Sequence, residues 1–232
     1  MIIGISGYVG NRLTGIGRVL INILSELAKQ YPEDKYVLFR NFDFKEYDNL
    51  TQYQNIEIVD VPYTKESGLK NILWHQWLFQ KLLKKYKCDI AYIPNFTLLL
   101  WKTIPTIVTI HDLIEYNVPD KFSKARMFYR KQVCDPLMAK KSNHILTVSK
   151  SSYKDIISYL GVKPSKLTLT LNATDRNVFK KYSKEKIIPA IKKYNLEYKK
   201  YLLFVGTIDF PGKNIKTIIE AFFNLRSKNE LN

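Results

Sequence analysis

The amino-acid sequence predicts an α/β fold, a doubly wound parallel sheet followed by only the first strand-loop-helix unit of a second, similar domain. Two observations lead to this prediction. Short apolar segments alternate with amphipathic helical segments, a pattern typical of a parallel sheet with helices on both faces. The chain is also 46% hydrophobic and 13% aromatic, which is enough to build a core and excludes a wholly disordered protein.

Seven of the short apolar segments are predicted strands of the first domain. They cover residues 2–6, 36–39, 56–61, 89–93, 106–110, 144–148 and 167–171. The carboxyl ends of parallel strands share one edge of the sheet, where ligands bind in folds of this type. We therefore expect one rim to carry the loops at 7–15, 94–97 and 111–117 and the turn at Ser149.

Four amphipathic segments between the strands predict helices. They cover residues 16–30, 69–86, 122–141 and 150–160. Pro136 predicts a break or kink in the third helix, because proline removes a backbone donor. Ser149 is the predicted N-cap of the fourth helix, and Gly161 is its predicted C-terminal stop.

The alternating pattern restarts after a polar stretch. The predicted first domain covers residues 1–175, a basic connector covers 176–200, and the start of a second domain covers 201–232. In this last part, an apolar strand at 201–205 and a helix at 214–226 flank a loop. A parallel strand needs neighbours on its ladder, so this single unit cannot cover its own apolar surface.

The positive charge is concentrated in the second half of the chain. Of the net charge of +16, residues 1–100 contribute +2, and residues 176–200 alone hold nine basic and two acidic side chains. This asymmetry indicates either an anionic partner or a solvated surface that reflects composition alone. Nucleic acid is not an expected partner, because Lys outnumbers Arg 30 to 7 and nucleic-acid readers rely on the bidentate contacts of Arg.

The sequence also bears on the cellular compartment. Two cysteines cannot form a disulfide framework, and the N-terminus lacks the pattern of a signal peptide. The longest apolar runs are far shorter than the roughly 18 residues of a membrane-spanning helix. The expected location is the cytoplasm.

The first candidate site is the glycine-containing segment 14–18 (TGIGR), which opens the first predicted helix. Gly15 and Gly17 would let the backbone approach a ligand, and the helix N-terminus offers N–H groups to an anion. The alternative is that these glycines serve only a tight turn. Leu20 stands where a dinucleotide fingerprint needs its third glycine, which disfavours a nicotinamide-dependent oxidoreductase.

Two further candidates follow other predicted strands. His111 and Asp112 lie on the expected rim, where an imidazole can exchange hydrogen bonds with a ligand and a carboxylate can orient it. A loop histidine in a satisfied hydrogen bond is the alternative. Lys213 precedes a predicted helix and could either hold a diphosphate or face solvent. The three histidines and two cysteines are too scattered for a metal site.

Together, these segments resemble glycosyltransferase family 4. The matching segments, in order and at family-like spacing, are 14–18, 93–95, 108–114, 146–149, 204–209 and 213–215. The resemblance implies a GT-B type fold of two facing Rossmann-like domains, of which the first binds acceptor and the second binds donor. It also implies retaining transfer from a nucleotide diphosphate sugar, with no metal or other cofactor.

The resemblance also implies roles for individual residues. His111 would meet the donor sugar near the reacting carbon, and Lys213 would hold the donor diphosphate. Gly15 and Gly17 would line the cleft near the donor phosphates or the acceptor. The acceptor-side rim would include Arg18, Asn95, Asp112 and Ser149.

The sequence departs from the family pattern in three places. Gly212 stands where the family usually has Arg, which is expected to weaken diphosphate binding, and Ala173 replaces the usual Gly after Asn172. The remainder of the donor domain, with its paired glutamates, does not follow. We therefore expect the 232-residue chain to be inactive alone, as a truncated gene product, one half of a split enzyme or a short piece of a longer protein.

The expected partners follow from this resemblance. They are a nucleotide-sugar donor and a saccharide or lipid-linked acceptor of polysaccharide biosynthesis. Two further candidates are an anionic membrane, at the inner face of the plasma membrane, and a second polypeptide that completes the donor domain. The alternative function is a non-catalytic acceptor-binding or interaction module.

Overall fold

The protein is described by a computed structural model at residues 1–8, 13–61, 68–119, 121–174, 179–208 and 213–228. Contacts within the chain divide it into two units, Met1–Asn172 and Ala173–Asn232. We call them unit 1 and unit 2 and describe each by itself.

Unit 1 is built on a seven-stranded parallel sheet in the order β3-β2-β1-β4-β5-β6-β7. The strands are β1 (Ile2–Gly7), β2 (Lys35–Arg40), β3 (Ile56–Asp60), β4 (Ile90–Ile93), β5 (Thr106–Thr109), β6 (His144–Thr147) and β7 (Leu167–Leu169). Each coincides with a predicted strand, which confirms the doubly wound sheet. The strand order reverses between β1 and β4, the point at which such sheets bind ligands.

The helices of unit 1 occupy the predicted segments, except for α4 (Ile114–Asn117), which lies in the segment predicted as the loop 111–117. They are α1 (Gly15–Gln30), α2 (Gly68–Leu73), α3 (Phe79–Lys85), α4 (Ile114–Asn117), α5 (Lys124–Phe128), α6 (Asp135–Lys141) and α7 (Lys150–Leu160). A π-helical segment, Trp74–Leu78, joins α2 to α3, and another, Tyr129–Cys134, joins α5 to α6. The irregularity expected at Pro136 is this second segment, which ends just before the proline.

The ends of α7 show how the sequence sets a helix boundary. The Ser149 hydroxyl accepts a hydrogen bond from the backbone N–H of Ser152 at 3.0 Å, which satisfies one free donor of the first turn. Gly161 follows the last residue with φ of 63°, a left-handed conformation that favours glycine. Both predicted boundaries are confirmed.

The core of unit 1 lies on both faces of the sheet. In β2, Tyr36 and Leu38 pack into a cluster with Leu20 and Leu24 of α1. The alternate β2 residues, among them Phe39, pack into the opposite cluster with the helices that follow β3. Because its strands are buried on both faces, the sheet holds its carboxyl-end loops on a rigid support.

Unit 2 contains helices α8 (Lys184–Lys192) and α9 (Ile215–Ser227). Helix α8 lies inside the segment predicted as a connector. The predicted helix at 214–226 is present as α9, but residues 201–205 form no strand among the described residues. The physical reason is that no neighbouring strand offers them a hydrogen-bonding ladder.

Candidate functional site

The imidazole of His111 lies at the carboxyl end of β5 and is half-buried. Its Nε2 is 2.9 Å from the backbone oxygen of Pro94, which follows β4. A carbonyl oxygen only accepts, so Nε2 carries the proton and donates. With Nε2 bonded to the Pro94 carbonyl, Nδ1 is the ring nitrogen that can form a hydrogen bond with a ligand hydroxyl.

Asn95 joins the loop after β4 to the loop after β1. Its side-chain amide Nδ2 donates to the backbone oxygen of Tyr8 at 2.5 Å. The other amide atom, Oδ1, is buried and has no hydrogen-bond partner among the described residues. An unsatisfied buried acceptor carries a desolvation cost that a donor from a ligand would offset.

Ser149 supports the His111 loop indirectly. Besides capping α7, the Ser149 hydroxyl donates a hydrogen bond to the Ser152 hydroxyl oxygen at 2.8 Å. The Ser152 hydroxyl donates to the backbone oxygen of His111 at 2.8 Å. The sequence pointed to Ser149 as a rim residue but missed Ser152, whose role depends on contact across two loops.

Asp112 does not orient the imidazole in the way the sequence suggested. Its carboxylate accepts a hydrogen bond from the backbone N–H of Ile114 at 3.3 Å, at the start of α4. The ring of His111 is instead oriented by the Pro94 carbonyl. The Asp112 side chain lies on an exposed residue at the rim.

The candidate glycines stand at the start of α1. Gly15 is exposed, and a Cβ added there would meet no heavy atom within 4 Å. Packing within the chain therefore does not require glycine at this position, which leaves room for a ligand. Gly17 is buried on α1, and Arg18 is exposed with its Nη2 3.5 Å from Glu46 Oε1. Residues 9–12 of the preceding loop lie outside the described part.

A buried polar network supports the loop after β1, and the sequence did not reveal it. His75 Nδ1 lies 2.9 Å from the backbone oxygen of Asn71, so Nδ1 donates and Nε2 accepts from the Ser6 hydroxyl at 2.9 Å. The Ser6 oxygen accepts from the Trp74 indole at 3.2 Å and from the Tyr8 N–H at 3.4 Å. Burial lowers the pKa of His75 to about 4, so the ring is neutral.

A buried pair of carboxyl groups supports the other side of the rim. Arg130 Nε donates to Glu115 Oε1 at 2.9 Å, and its guanidinium lies 3.7 Å from the centre of the Phe96 ring. Burial, and then the neighbouring Glu115, raise the pKa of Asp135 to about 9. Burial therefore favours the neutral form of the Asp135 carboxyl. The cluster fixes α4 against the loop that carries Asn95.

Lys213 lies in unit 2, two residues before α9, and is exposed. Residues 209–212, which include Gly212, lie outside the described part. Unit 1 thus brings together the backbone or side chains of Asn95, His111 and Ser149. Lys213 belongs to unit 2.

The described residues form neither a metal-binding cluster nor a membrane-spanning helix. No group of three or more His, Cys, Asp or Glu side chains there is placed to hold a metal ion. Within the same residues, no helix has both the length and the apolar character needed to cross a membrane.

The parallel sheet and the polar rim at its switch point define a Rossmann-like ligand-binding domain. The sequence model of Glycosyltransferase Family 4 matches residues 13–178. This chain belongs to that family, which confirms the resemblance seen in its motifs.

Individual relatives agree with this assignment. The O-antigen chain mannosyltransferase B of Escherichia coli is 27% identical over 223 residues, covering 90% of this chain and 56% of the relative. The solved structure of WaaG, a glycosyltransferase involved in lipopolysaccharide biosynthesis, superposes with a TM-score of 0.66 at 16% identity, covering 94% of this chain and 58% of WaaG. The structure of Anabaena Alr3699/HepE, solved with UDP and glucose, superposes with a TM-score of 0.54 at 16% identity. The match covers 84% of this chain and 50% of HepE.

These structural likenesses place the fold in the GT-B type. The chain spans about half the length of the relatives it matches.

Proposed function

We propose that this chain provides the acceptor-side domain, and the first donor-side elements, of a retaining glycosyltransferase. The enzyme would move a sugar from a nucleotide diphosphate sugar to a saccharide or lipid-linked acceptor. The observation that carries the proposal is the rim of unit 1, where the Pro94 carbonyl holds His111 through Nε2 and Nδ1 can form a hydrogen bond with a ligand. Family membership supplies the class of reaction.

The proposed chemistry assigns distinct tasks to the residues. His111 Nδ1 would form a hydrogen bond with a hydroxyl of the donor sugar and so orient the sugar for transfer. As the bond to the diphosphate breaks, negative charge grows on the leaving group. The N-terminus of α1, with open space at Gly15, would stabilise that charge on unit 1 without a metal ion. Lys213, on unit 2, is a separate candidate for a contact with a diphosphate.

The relatives narrow the candidate substrates. The E. coli relative is named for mannose transfer to an O-antigen chain, and the WaaG structure for lipopolysaccharide biosynthesis. The HepE structure contains UDP and glucose. We therefore propose a nucleotide-activated hexose as donor and a cell-surface polysaccharide precursor as acceptor, at the cytoplasmic face of the membrane.

A binding experiment with matched histidine variants tests the rim. Ligand-observed NMR would screen the purified chain against mannose- and glucose-terminated oligosaccharides and against GDP-mannose and UDP-glucose. We expect saccharide binding that His111→Ala abolishes and His144→Ala leaves unchanged. His144 lies at the opposite end of its strand and bonds Thr168 at 2.8 Å. Equal loss in both variants, or no saccharide binding at all, would contradict the proposal.

The proposal includes inactivity of the chain by itself. The chain covers 56% of the mannosyltransferase relative, and we propose that these 232 residues alone do not form the whole donor site. We expect no sugar transfer and no hydrolysis of a nucleotide sugar by the purified chain, as measured by mass spectrometry. Turnover by the purified chain would overturn this part of the proposal.

One observation favours a second candidate, a half-enzyme that associates with another polypeptide. In unit 2, the side chains of Leu203, Val205 and Ile208 are 73%, 83% and 90% exposed. Apolar surface of this kind is typical of an interface. Light scattering after size-exclusion chromatography tests it, since a monomer that stays in solution without aggregation or partner would count against this candidate.

A further inference from the structure

Unit 1 carries an exposed aromatic patch made of residues other than those of the rim. The patch consists of Leu73, Trp77, Leu100 and Trp101, whose exposed fractions are 41%, 55%, 46% and 44%. The two indole rings meet edge to face, with ring centres 5.0 Å apart. Large apolar side chains are normally buried, so a contiguous exposed group of four marks a contact surface.

A buried glutamine holds this patch in shape. The Gln76 side-chain oxygen accepts from the backbone N–H of Leu100 at 2.9 Å and of Trp101 at 3.2 Å, and its amide donates to the Leu98 oxygen at 2.8 Å. The Trp101 indole N–H in turn donates to the Gln76 backbone oxygen at 2.7 Å. Four hydrogen bonds therefore fix the loop that presents Leu100 and Trp101 beside Trp77.

The two segments that form the patch carry charges of one sign. The two segments that form it, residues 68–88 and 94–104, contain no Asp or Glu. Their basic residues are Lys70, Lys81, Lys84, Lys85, Lys87 and Lys102. Lys81, Lys84 and Lys85 are exposed on α3, which continues the helix that bears Trp77. The surface is thus apolar at its centre and basic at its margin.

We propose that this patch docks unit 1 on an anionic lipid bilayer. Tryptophan prefers the interface between headgroups and acyl chains, and lysine is attracted to anionic headgroups. Apolar contact and charge attraction together give stable binding where either alone is marginal. The docking surface is therefore on unit 1, rather than in the basic connector at 176–200 that the sequence singled out.

The patch is continuous with the rim. The segment after β4 runs from Asn95 at the rim to Trp101 in the patch. It is pinned midway by the Thr97 hydroxyl, which donates to the Asn71 side-chain oxygen at 2.8 Å. Docking through the patch would bring the acceptor side of the rim close to the bilayer surface, within reach of a lipid-linked saccharide.

Intrinsic fluorescence and vesicle flotation test the proposal. The chain has three tryptophans, and Trp74 is fully buried, so Trp77 and Trp101 report on the patch. With vesicles of phosphatidylcholine containing phosphatidylglycerol, we expect a blue shift and co-flotation. Phosphatidylcholine alone should give neither. Absence of a shift and of flotation with the anionic vesicles would overturn the proposal.

Matched variants localise the surface. Trp77→Gln and Leu73→Gln, each checked for an unchanged thermal transition, should weaken binding to anionic vesicles by about tenfold. The control is Phe128→Gln, since Phe128 is 66% exposed elsewhere on unit 1, and it should bind as the wild type does. Equally weakened vesicle binding by the control variant would overturn the assignment. A patch variant that changes self-association but binds vesicles as the wild type does would overturn it as well.

The inference rests on the membrane setting of the proposed function but not on catalysis. Trp77→Gln should leave saccharide binding at the rim unchanged, whereas His111→Ala should leave vesicle binding unchanged. If vesicle binding fails while saccharide binding persists, only the docking surface is wrong. If saccharide binding fails while vesicles bind, only the proposed function is wrong.

Discussion

Units 1 and 2 begin with the same sequence pattern, an apolar segment followed by a loop and an amphipathic helix. The apolar segment forms a paired strand in unit 1 and no strand in the described part of unit 2. In unit 1, β1 has β2 and β4 as parallel neighbours, and Ile5 is 1% exposed. In unit 2, residues 201–205 have no ladder among the described residues, and Val205 is 83% exposed. An apolar segment therefore specifies a parallel strand only when neighbouring strands are present to pair with it.

The difference between the units should be largest in hydrogen exchange. The Ala91 N–H bonds the Pro105 oxygen at 2.9 Å inside the sheet, whereas residues 202–205 have no strand partner. We expect the Ala91 amide to exchange at least about a thousandfold more slowly than the amides of Leu203 and Val205. Mass spectrometry of the exchanged peptides measures this. Comparable protection in the two segments would contradict the comparison.

The same substitution, leucine to alanine, should lower the free energy of unfolding by different amounts in the two units. Leu24 on α1 is fully buried, so Leu24→Ala should lower the free energy of unfolding of unit 1 by about 2–5 kcal/mol. The matched change Leu225→Ala on α9, where the side chain is 40% exposed, should alter stability by less than about 0.5 kcal/mol. Urea denaturation measures both values. A large cost at Leu225 would show that α9 packs more tightly than described.

The stability of unit 1 should also depend on pH through His75. Its folded pKa, about 4, lies below the ordinary value of 6.5, so the unfolded chain binds the proton more readily. The contribution of the neutral His75 ring to the stability of unit 1 is complete above about pH 6.5 and falls as the pH decreases towards 4. We expect a loss of about 2 kcal/mol between pH 7.5 and pH 5.

This pH effect has to be separated from that of Asp135, whose raised pKa favours the folded state as the pH falls. Subtracting the profile of His75→Gln from that of the wild type removes every group common to both proteins. Thermal denaturation at a series of pH values gives the two profiles. Identical slopes between pH 7.5 and pH 5 would show that His75 titrates normally.

The smallest effect is expected at the start of α7. Ser149→Ala removes the hydroxyl that accepts from the Ser152 N–H, which should cost about 1 kcal/mol. The control, Ser151→Ala, changes an exposed residue in the first turn of the same helix and should leave stability nearly unchanged. Denaturant titrations distinguish the two, and an equal cost for both would mean that the cap does not stabilise the helix.

Local sequence features predicted the sheet and the caps well, for a physical reason. Each strand of unit 1 is a short apolar run, and Ser149 and Gly161 mark the ends of α7 through their own backbone preferences. The π-helical segments were missed because their apolar spacing is nearly that of an α-helix. Residues 201–205 were wrongly predicted as a strand, since strand formation depends on neighbours and not on the segment itself.

The site was predicted less completely than the fold. His111 and Asn95 stand directly after strands, so their placement on the rim followed from the topology. The supporting contacts join residues far apart in sequence, as Ser6 does with His75 and Ser152 with His111. No periodicity or spacing in a single sequence indicates such pairs.

The central claim is that a saccharide binds at the His111 rim of unit 1. The three histidines, one buried, one on the rim and one at the opposite end of the sheet, allow a direct test by ¹H–¹⁵N NMR of the imidazole rings. On addition of the saccharide that binds best, we expect the signals of His111 to shift while those of His75 and His144 stay in place. Shifts at His144 with His111 unchanged would contradict the claim.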